Sequence, residues 1–340
     1  MLKGKLGWIL RVAVTIGLFV VMFAYFVDVD ELLVAIRQVA LIWVLAATAV
    51  KAIGIFASIL RWDQLLKGQG YQFPLRYLSG SFLVGRFFGM FLPSTLGLDG
   101  YRLYDTARQT GDTVGMVAVL AVEKITGFFT LSLLVLLTLP AGLRFLPAQV
   151  LVAVFLIFCV PVVISFFLLL KPGIIERTMN KLLAARFPGK AKLEGLFRRS
   201  VEAVTVYQDH RDVLIKAVLL GFVVHASTVL MYYCCALAVG VDASLVDMLF
   251  VGPWIILATV GLPTIAGEGA REFTALSLLR RIGVNESAAW LVGHLGFWAA
   301  EFVPAVIGGI ILALRPAQYR PDIERTGSET AQQDEVTGSA

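Results

Sequence analysis

Long apolar runs alternate with short polar interruptions along the chain, and eight of the runs approach the roughly 20 residues a helix needs to cross hydrocarbon. They cover 8–27, 40–60, 77–96, 114–139, 149–170, 213–239, 248–266 and 288–314. Between the first two, 30–38 is short and amphipathic, with Leu32, Leu33 and Ile36 on one side, which predicts a helix lying at the membrane interface. Leu193, Leu196, Phe197, Val201 and Val204 recur at helical spacing and predict a second surface helix, resting on the cytoplasmic face. After Arg315 the chain is rich in Thr, Ser, Gln, Asp and Glu, with almost no large apolar residue past Ile323, which predicts a disordered tail over 316–340. The pattern is that of an all-α polytopic membrane protein. One integral membrane domain spans 1–315 and includes a basic amphipathic segment at 171–212.

Composition agrees. Of 340 residues, 58% are hydrophobic and 16% charged, which excludes a soluble globular chain, since those carry about a quarter charged residues. The net charge of +5 is local: between Lys171 and Arg211 nine basic residues face four acidic ones, a surplus of five that leaves the remainder neutral. Basic stretches beside spans mark the cytoplasmic side and attract anionic lipid. No nucleic-acid motif accompanies the charge, so nucleic acid is not an expected partner.

The charge also decides the number of crossings. Were all eight segments to cross from a cytoplasmic N-terminus, the basic stretch would follow the fifth crossing and lie outside, against the positive-inside rule. If the third and seventh segments enter and leave on one side, the basic stretch, Arg315 and Arg320 are all cytoplasmic. Six spans and two re-entrant segments are expected, in a cell (inner) membrane with both termini cytoplasmic. Lys3, Lys5 and Arg11 stand at the start of the first run, and no small-residue cleavage site precedes Val27-Asp28-Val29-Asp30, so it reads as an uncleaved span.

These two segments hold the helix breakers: Gly80, Gly85, Gly89 and Pro93, then Gly97 and Gly100 in one; Gly252, Pro253, Gly261 and Pro263, then Gly267 and Gly269 in the other. Non-helical backbone at membrane depth survives only where protein or a wet cavity satisfies it. Their ends also look alike. Pro93, a hydroxyl residue, Gly97, Asp99, Gly100 and Arg102 run in the same order as Pro263, Thr264, Gly267, Glu268, Gly269 and Arg271. Paired broken segments of opposite orientation point to an inverted repeat and a midplane substrate site; chance recurrence of Gly and Pro is the competing explanation.

An ionisable residue at mid-span costs on the order of 3 kcal/mol, so it faces a partner, a cavity or a substrate. Arg86, Glu123 and Lys124 lie in such runs, as do Lys51 and Glu301, for which simple pairing inside the bundle is an equal explanation. Asp99, Arg102, Glu268, Arg271 and Glu272 come from the repeated motif. Clustered cations beside broken helices suit an anionic headgroup, because Arg matches phosphate oxygens bidentately and helix N-termini add donors.

Catalytic signals are weak. No nucleotide loop, nucleophile elbow or His with a Ser or Cys partner is evident, and Glu268 and Glu272 at i,i+4 suit acid–base work and a structural role equally. Cys159, Cys234 and Cys235 fall in apolar runs as packing residues. His210, His225 and His294 have no second ligand near them in sequence, so neither a metal nor a cofactor is expected.

At these residues the chain resembles the transmembrane domain family of lysylphosphatidylglycerol synthase, also described as flippase-like. The likeness rests on Arg61, on Pro93 followed by Gly97-Leu98-Asp99 and Arg102, on Glu123-Lys124, and on 267–272 with its Gly-Glu-Gly-Ala-Arg-Glu order. The family commonly has Gly-Gly-Asp and Glu-Arg where this chain has Gly97-Leu98-Asp99 and Glu123-Lys124. The second departure keeps the charge but loses the planar fork.

The resemblance implies a lipid-handling membrane domain without the soluble aminoacyl-transferase domain of the synthases. It implies a transporter for a phospholipid derivative or a polyprenyl-phosphate sugar. A membrane glycosyl- or lipid-transferase, and a non-catalytic partner of an envelope lipid or glycan biosynthesis enzyme, are the alternatives. Expected partners are the lipid substrate and, at 171–211, anionic lipids.

Overall fold

The computed structural model describes residues 2–91, 96–170, 205–207, 210–314 and 324–325. Among these, five helical stretches are long and apolar enough to cross a membrane: Leu41–Gly68 (α3), Thr113–Arg144 (α6, Thr113–Thr138, with a 3₁₀ extension), Ala148–Phe167 (within α7, Ala148–Leu170), Arg211–Val239 (α8) and Glu286–Leu314. The last comprises α11 (Glu286–Phe297), a π-helical turn (Trp298–Phe302) and α12 (Val303–Leu314). A sixth span arises if α1 (Leu2–Tyr25) is taken with α2 (Val29–Arg37), which leaves it at a 97° bend. At that bend the Asp28 carboxylate accepts from the Asp30 and Glu31 amides and caps α2. Leu32 is buried while Leu33 and Ile36 stay exposed, the arrangement expected of an interfacial helix.

The centre of the molecule is the antiparallel pair α3 and α8. Ala40 N–H bonds Ala238 O at one end, Lys51 meets Thr228 in the middle, and Gly68 lies against Val213 at the other end. Gly54 faces Ser227, whose hydroxyl occupies the place a Cβ would take.

Each central helix is followed by a helical hairpin. After α3 and the short strand β1 (Tyr71–Gln72), α4 (Leu75–Phe91) descends and α5 (Leu96–Thr110) returns along it. A Cβ on Gly97 would stand 2.5 Å from Gly89 N, so only glycine permits this approach. The return is complete: Tyr77 near the start of α4 donates to Asp105 O of α5 at 3.4 Å, and Tyr71 donates to Asp112, the N-cap of α6, at 3.0 Å. After α8, the second hairpin is α9 (Leu245–Gly261) and α10 (Ala270–Leu279). Asp247 of α9 pairs with Arg144, and Arg281, just past α10, donates to Phe145 O, so this hairpin too begins and ends in one place. Because α3 and α8 are antiparallel, the hairpins enter from opposite ends, the arrangement expected of the third and seventh segments if they are re-entrant halves of an inverted repeat.

Two apolar cores result. One gathers Ile55, Trp62, Leu66, Leu78, Phe82, Val119 and Ala217 about the first hairpin; the other gathers Met22, Ala47, Val135, Met231, Phe250, Leu276 and Val292 about the second. Along α3 the change from one core to the other falls between Ala47 and Ile55, and along α8 between Ala217 and Met231. Lys51, Thr228, Ser227, Thr126 and Thr130 lie buried in that interval.

Two features depart from expectation. The motif after Gly97 is not a turn but the first part of α5, whose polar composition hides it from a search for apolar runs. In the tail, Glu324–Arg325 form β2, antiparallel to β1, with Tyr71 opposite Arg325. Pro93, the rest of the tail and most of 171–212, including the expected surface helix, lie outside the described residues. At the edge of that stretch Tyr207 is buried and donates to Leu65 O at 2.7 Å.

Gly97→Ala is expected to lower stability by about 1–3 kcal/mol through overpacking against α4. Gly100→Ala, which meets nothing within 4 Å, is expected to be neutral or slightly stabilising in the same thermal melt in detergent.

Candidate functional site

The charges singled out in the sequence separate into three groups. The first sits where α5 and α6 meet α3. Arg102 donates to Asp99 at 2.7 Å and to Glu123 Oε2 at 3.1 Å; Arg61 donates to Glu123 Oε1 at 3.1 Å; Lys124 reaches Asp99 Oδ2 at 2.6 Å. Asp99, Arg102, Glu123 and Arg61 are all buried, and the Arg102 guanidinium lies 5.0 Å from the Trp62 ring and 5.1 Å from that of Phe82. The i,i+3 spacing of Asp99 and Arg102 on α5 aligns them on one face, and α6 supplies the second carboxylate. Three cations share two carboxylates, and the one in excess, Lys124, is the one that reaches solvent. Arg61 enters this network as a full member, although only the family resemblance had marked it.

The second group is the counterpart at the tip of the other hairpin. Here the backbone turns through Ala266, Gly267 and Gly269 at φ +50°, +77° and +80° before α10 begins, and Ala266 carries the strain of a left-handed non-glycine. Glu272 Oε2 accepts from Gly269 N–H at 2.7 Å and so closes the first turn of α10. Arg271, 1% exposed, bonds the Gly267 carbonyl at 3.3 Å and that of Ala266, and lies 5.3 Å from the Phe297 ring. Its nearest carboxylate, Glu272 Oε1, is 3.9 Å from Nε. Glu268 and Glu272 meet His294 of α11, a residue with no signal in the local sequence.

The third group surrounds a cavity of about 220 Å³ between the hairpins. Leu98 and Gly89 reach it from the first hairpin, and Thr259, Ala266, Gly267 and Arg271 from the second. Lys51 and Thr228 line it from the middle of α3 and α8, and Lys51 Nζ donates to Thr228 Oγ1 at 2.9 Å. Arg86 and Glu301 face it as a pair at 2.7 Å. Arg86 also donates to Ala300 O at 3.4 Å. The residue four positions on is Pro304, which has no N–H to offer that carbonyl. The π-helical turn at Trp298–Phe302 thus carries Ala300 and Glu301 to the cavity wall.

Of the residues expected to share one site, Lys51, Arg86, Arg271 and Glu301 meet around the cavity. Asp99, Arg102, Glu123 and Lys124 do not line it; they pair among themselves behind Leu98. Glu268 and Glu272 lie behind Arg271. His225, Thr228 and Tyr232 of α8 join the lining without having been singled out. Thr228 stands in an apolar run where a hydroxyl raises no alarm.

Removing one member of a buried charge network leaves the others unpaired. Arg102→Met is expected to destabilise the protein by about 3–5 kcal/mol, against less than about 1 kcal/mol for Lys124→Met, whose side chain is 41% exposed. Thermal melting of the purified variants in detergent measures the contrast.

Comparison with known proteins adds one relationship. No curated protein and no solved structure matches the chain. The family described as the lysylphosphatidylglycerol synthase TM region matches residues 8–309, which takes in both hairpins, the buried network and the cavity, and the chain belongs to that family of membrane, lipid-related proteins.

Proposed function

We propose that the protein is a lipid transporter of the flippase type, which holds the anionic headgroup of a phospholipid derivative or a polyprenyl-phosphate sugar in the cavity between the two hairpins. The observation that carries this reading is the cavity lining: three cations, Lys51, Arg86 and Arg271, against the single carboxylate Glu301. The cavity wall thus presents two positive charges in excess, while the carboxylates that balance them, Glu268 and Glu272, lie behind Arg271, so the cations face an anion entering the cavity. Arg86 and Arg271 offer planar forks to phosphate oxygens, and Lys51 adds a point charge.

A place for the tails lies alongside. An apolar groove of about 320 Å³ is lined by Ala52, Ile55, Phe56, Leu83, Ala299 and Ile307, so that Ala52 and Ala299 stand next in sequence to Lys51 and Ala300 of the cavity. In this reading the network of Arg61, Asp99, Arg102, Glu123 and Lys124 holds the first hairpin rigid, and alternating exposure comes from one half rocking against the other. The N- and C-termini and segment 171–212 then face the cytoplasm, where the basic segment meets anionic lipid and docks an envelope lipid or glycan biosynthesis enzyme.

The test is transbilayer movement of a fluorescent phosphatidylglycerol in proteoliposomes, read by the dye's accessibility to an impermeant quencher. Lys51→Met removes one cation without orphaning a carboxylate. It is expected to slow movement about tenfold, the loss of one contact worth about 1.4 kcal/mol, with an unchanged melting temperature. A folded Lys51→Met variant that moves lipid at the full rate overturns the reading.

A further inference from the structure

Behind Arg271, three side chains converge, one from the turn before α10, one from α10 and one from α11, each with an atom that makes no hydrogen bond. Glu268, Glu272 and His294 place one ligand atom each within 4.8 Å of one another. Glu268 Oε1, Glu272 Oε1 and His294 Nδ1 are all buried and without a hydrogen-bond partner. Glu272 is 0% exposed, and while its Oε2 is held by Gly269 N–H, its Oε1 is turned to His294 Nδ1 at 3.6 Å. Arg271, the neighbouring cation, bonds two carbonyls and lies against the Phe297 ring, and its Nε stands 3.9 Å from Glu272 Oε1, near enough for charge attraction but too far for a hydrogen bond. A fully buried carboxylate oxygen left without a donor is expensive, and a second carboxylate beside it adds repulsion.

We propose that Glu268, Glu272 and His294 form a binding site for a divalent transition-metal cation of the Mn²⁺ or Zn²⁺ class. Two carboxylate oxygens and one imidazole nitrogen on one face are a donor set these ions accept, with the remaining positions open to water or to a ligand oxygen. Bonds of 2.0–2.2 Å place neighbouring ligand atoms about 3–4 Å apart, so the three close in by about 1 Å on binding. The imidazole must also change tautomer. The Trp298 indole N–H now points at His294 Nε2 at 3.3 Å, which leaves the ring proton on Nδ1. On binding, that proton moves to Nε2 and Trp298, 42% exposed, turns away.

The site bears on the headgroup, and this part rests on the function proposed above. Lys51, Arg86 and Arg271 are matched in number by Glu301, Glu268 and Glu272, so the cavity with its immediate surroundings is neutral. A dication on Glu268 and Glu272 restores the positive surplus that a phosphate needs.

Purified full-length protein in detergent, without added lipid, is titrated with Mn²⁺, followed by the electron-paramagnetic resonance of the free ion, and with Zn²⁺ by calorimetry. One ion per chain is expected. Glu268→Gln and His294→Ala weaken it at least tenfold, whereas Trp298→Phe, which removes the competing donor, leaves it equal or tighter. Glu272→Gln is avoided because that residue also caps α10. Absence of one-to-one binding of either ion, or equal affinity in Glu268→Gln and His294→Ala, overturns the site. In a second titration, phosphatidylglycerol binding is expected to tighten with Mn²⁺ in the wild type and not in Glu268→Gln. If the ion binds but the lipid affinity does not respond, the site stands and its link to the headgroup falls.

Discussion

A belt of charged and hydroxyl side chains halfway through an apolar bundle is the constraint on which the rest of the structure depends. Hydrocarbon at that depth solvates none of Lys51, Arg61, Glu123 and Arg271, so each needs a partner within the protein or a polar cavity. The close approach of α3 and α8, the return of both hairpins to mid-depth and the division of the apolar interior into two cores all serve that need. Each core surrounds one hairpin, and the belt is the seam between them.

The two hairpins meet the constraint differently. The first closes its charges into a network in which every carboxylate has at least two cationic neighbours, and this network is rigid, buried and set apart from the cavity. The second leaves its arginine on backbone carbonyls and its two glutamates with idle oxygens beside a histidine. The two hairpins thus differ in how their charges are held, one closed into an ion-pair network and the other not. The left-handed Ala266 falls in the second.

Much of this was legible in the chain. Eight apolar runs, two of them interrupted by Gly and Pro, marked an all-α polytopic membrane protein. The recurrence of acid, Gly, one residue and Arg marked the return limb of each hairpin, where Asp99 and Arg102 pair on α5 and Gly267 and Gly269 carry the turn before α10. Arg86 and Lys51 were visible because a cation in an apolar run is costly enough to require a reason. His294 and Thr228 were not, since a lone histidine or threonine in a membrane helix costs little and raises no local signal. Helix α5 was missed because its packing partner is another helix of the protein rather than lipid, so it can be polar.

The sequence by itself determined the class of the protein, its broken segments and its family, since these follow from local hydrophobicity, helix breakers and short motifs. Only the tertiary structure decided which charges pair and which face a cavity. Asp99 and Glu268 occupy equivalent places in the repeat, yet one is bound to Arg102 and Lys124 and the other to no cation at bonding distance among the described residues. That difference comes from what α6 and α11 bring alongside, a lysine and a glutamate in one case and a histidine in the other. Such long-range juxtaposition is set by packing, and no local pattern encodes it.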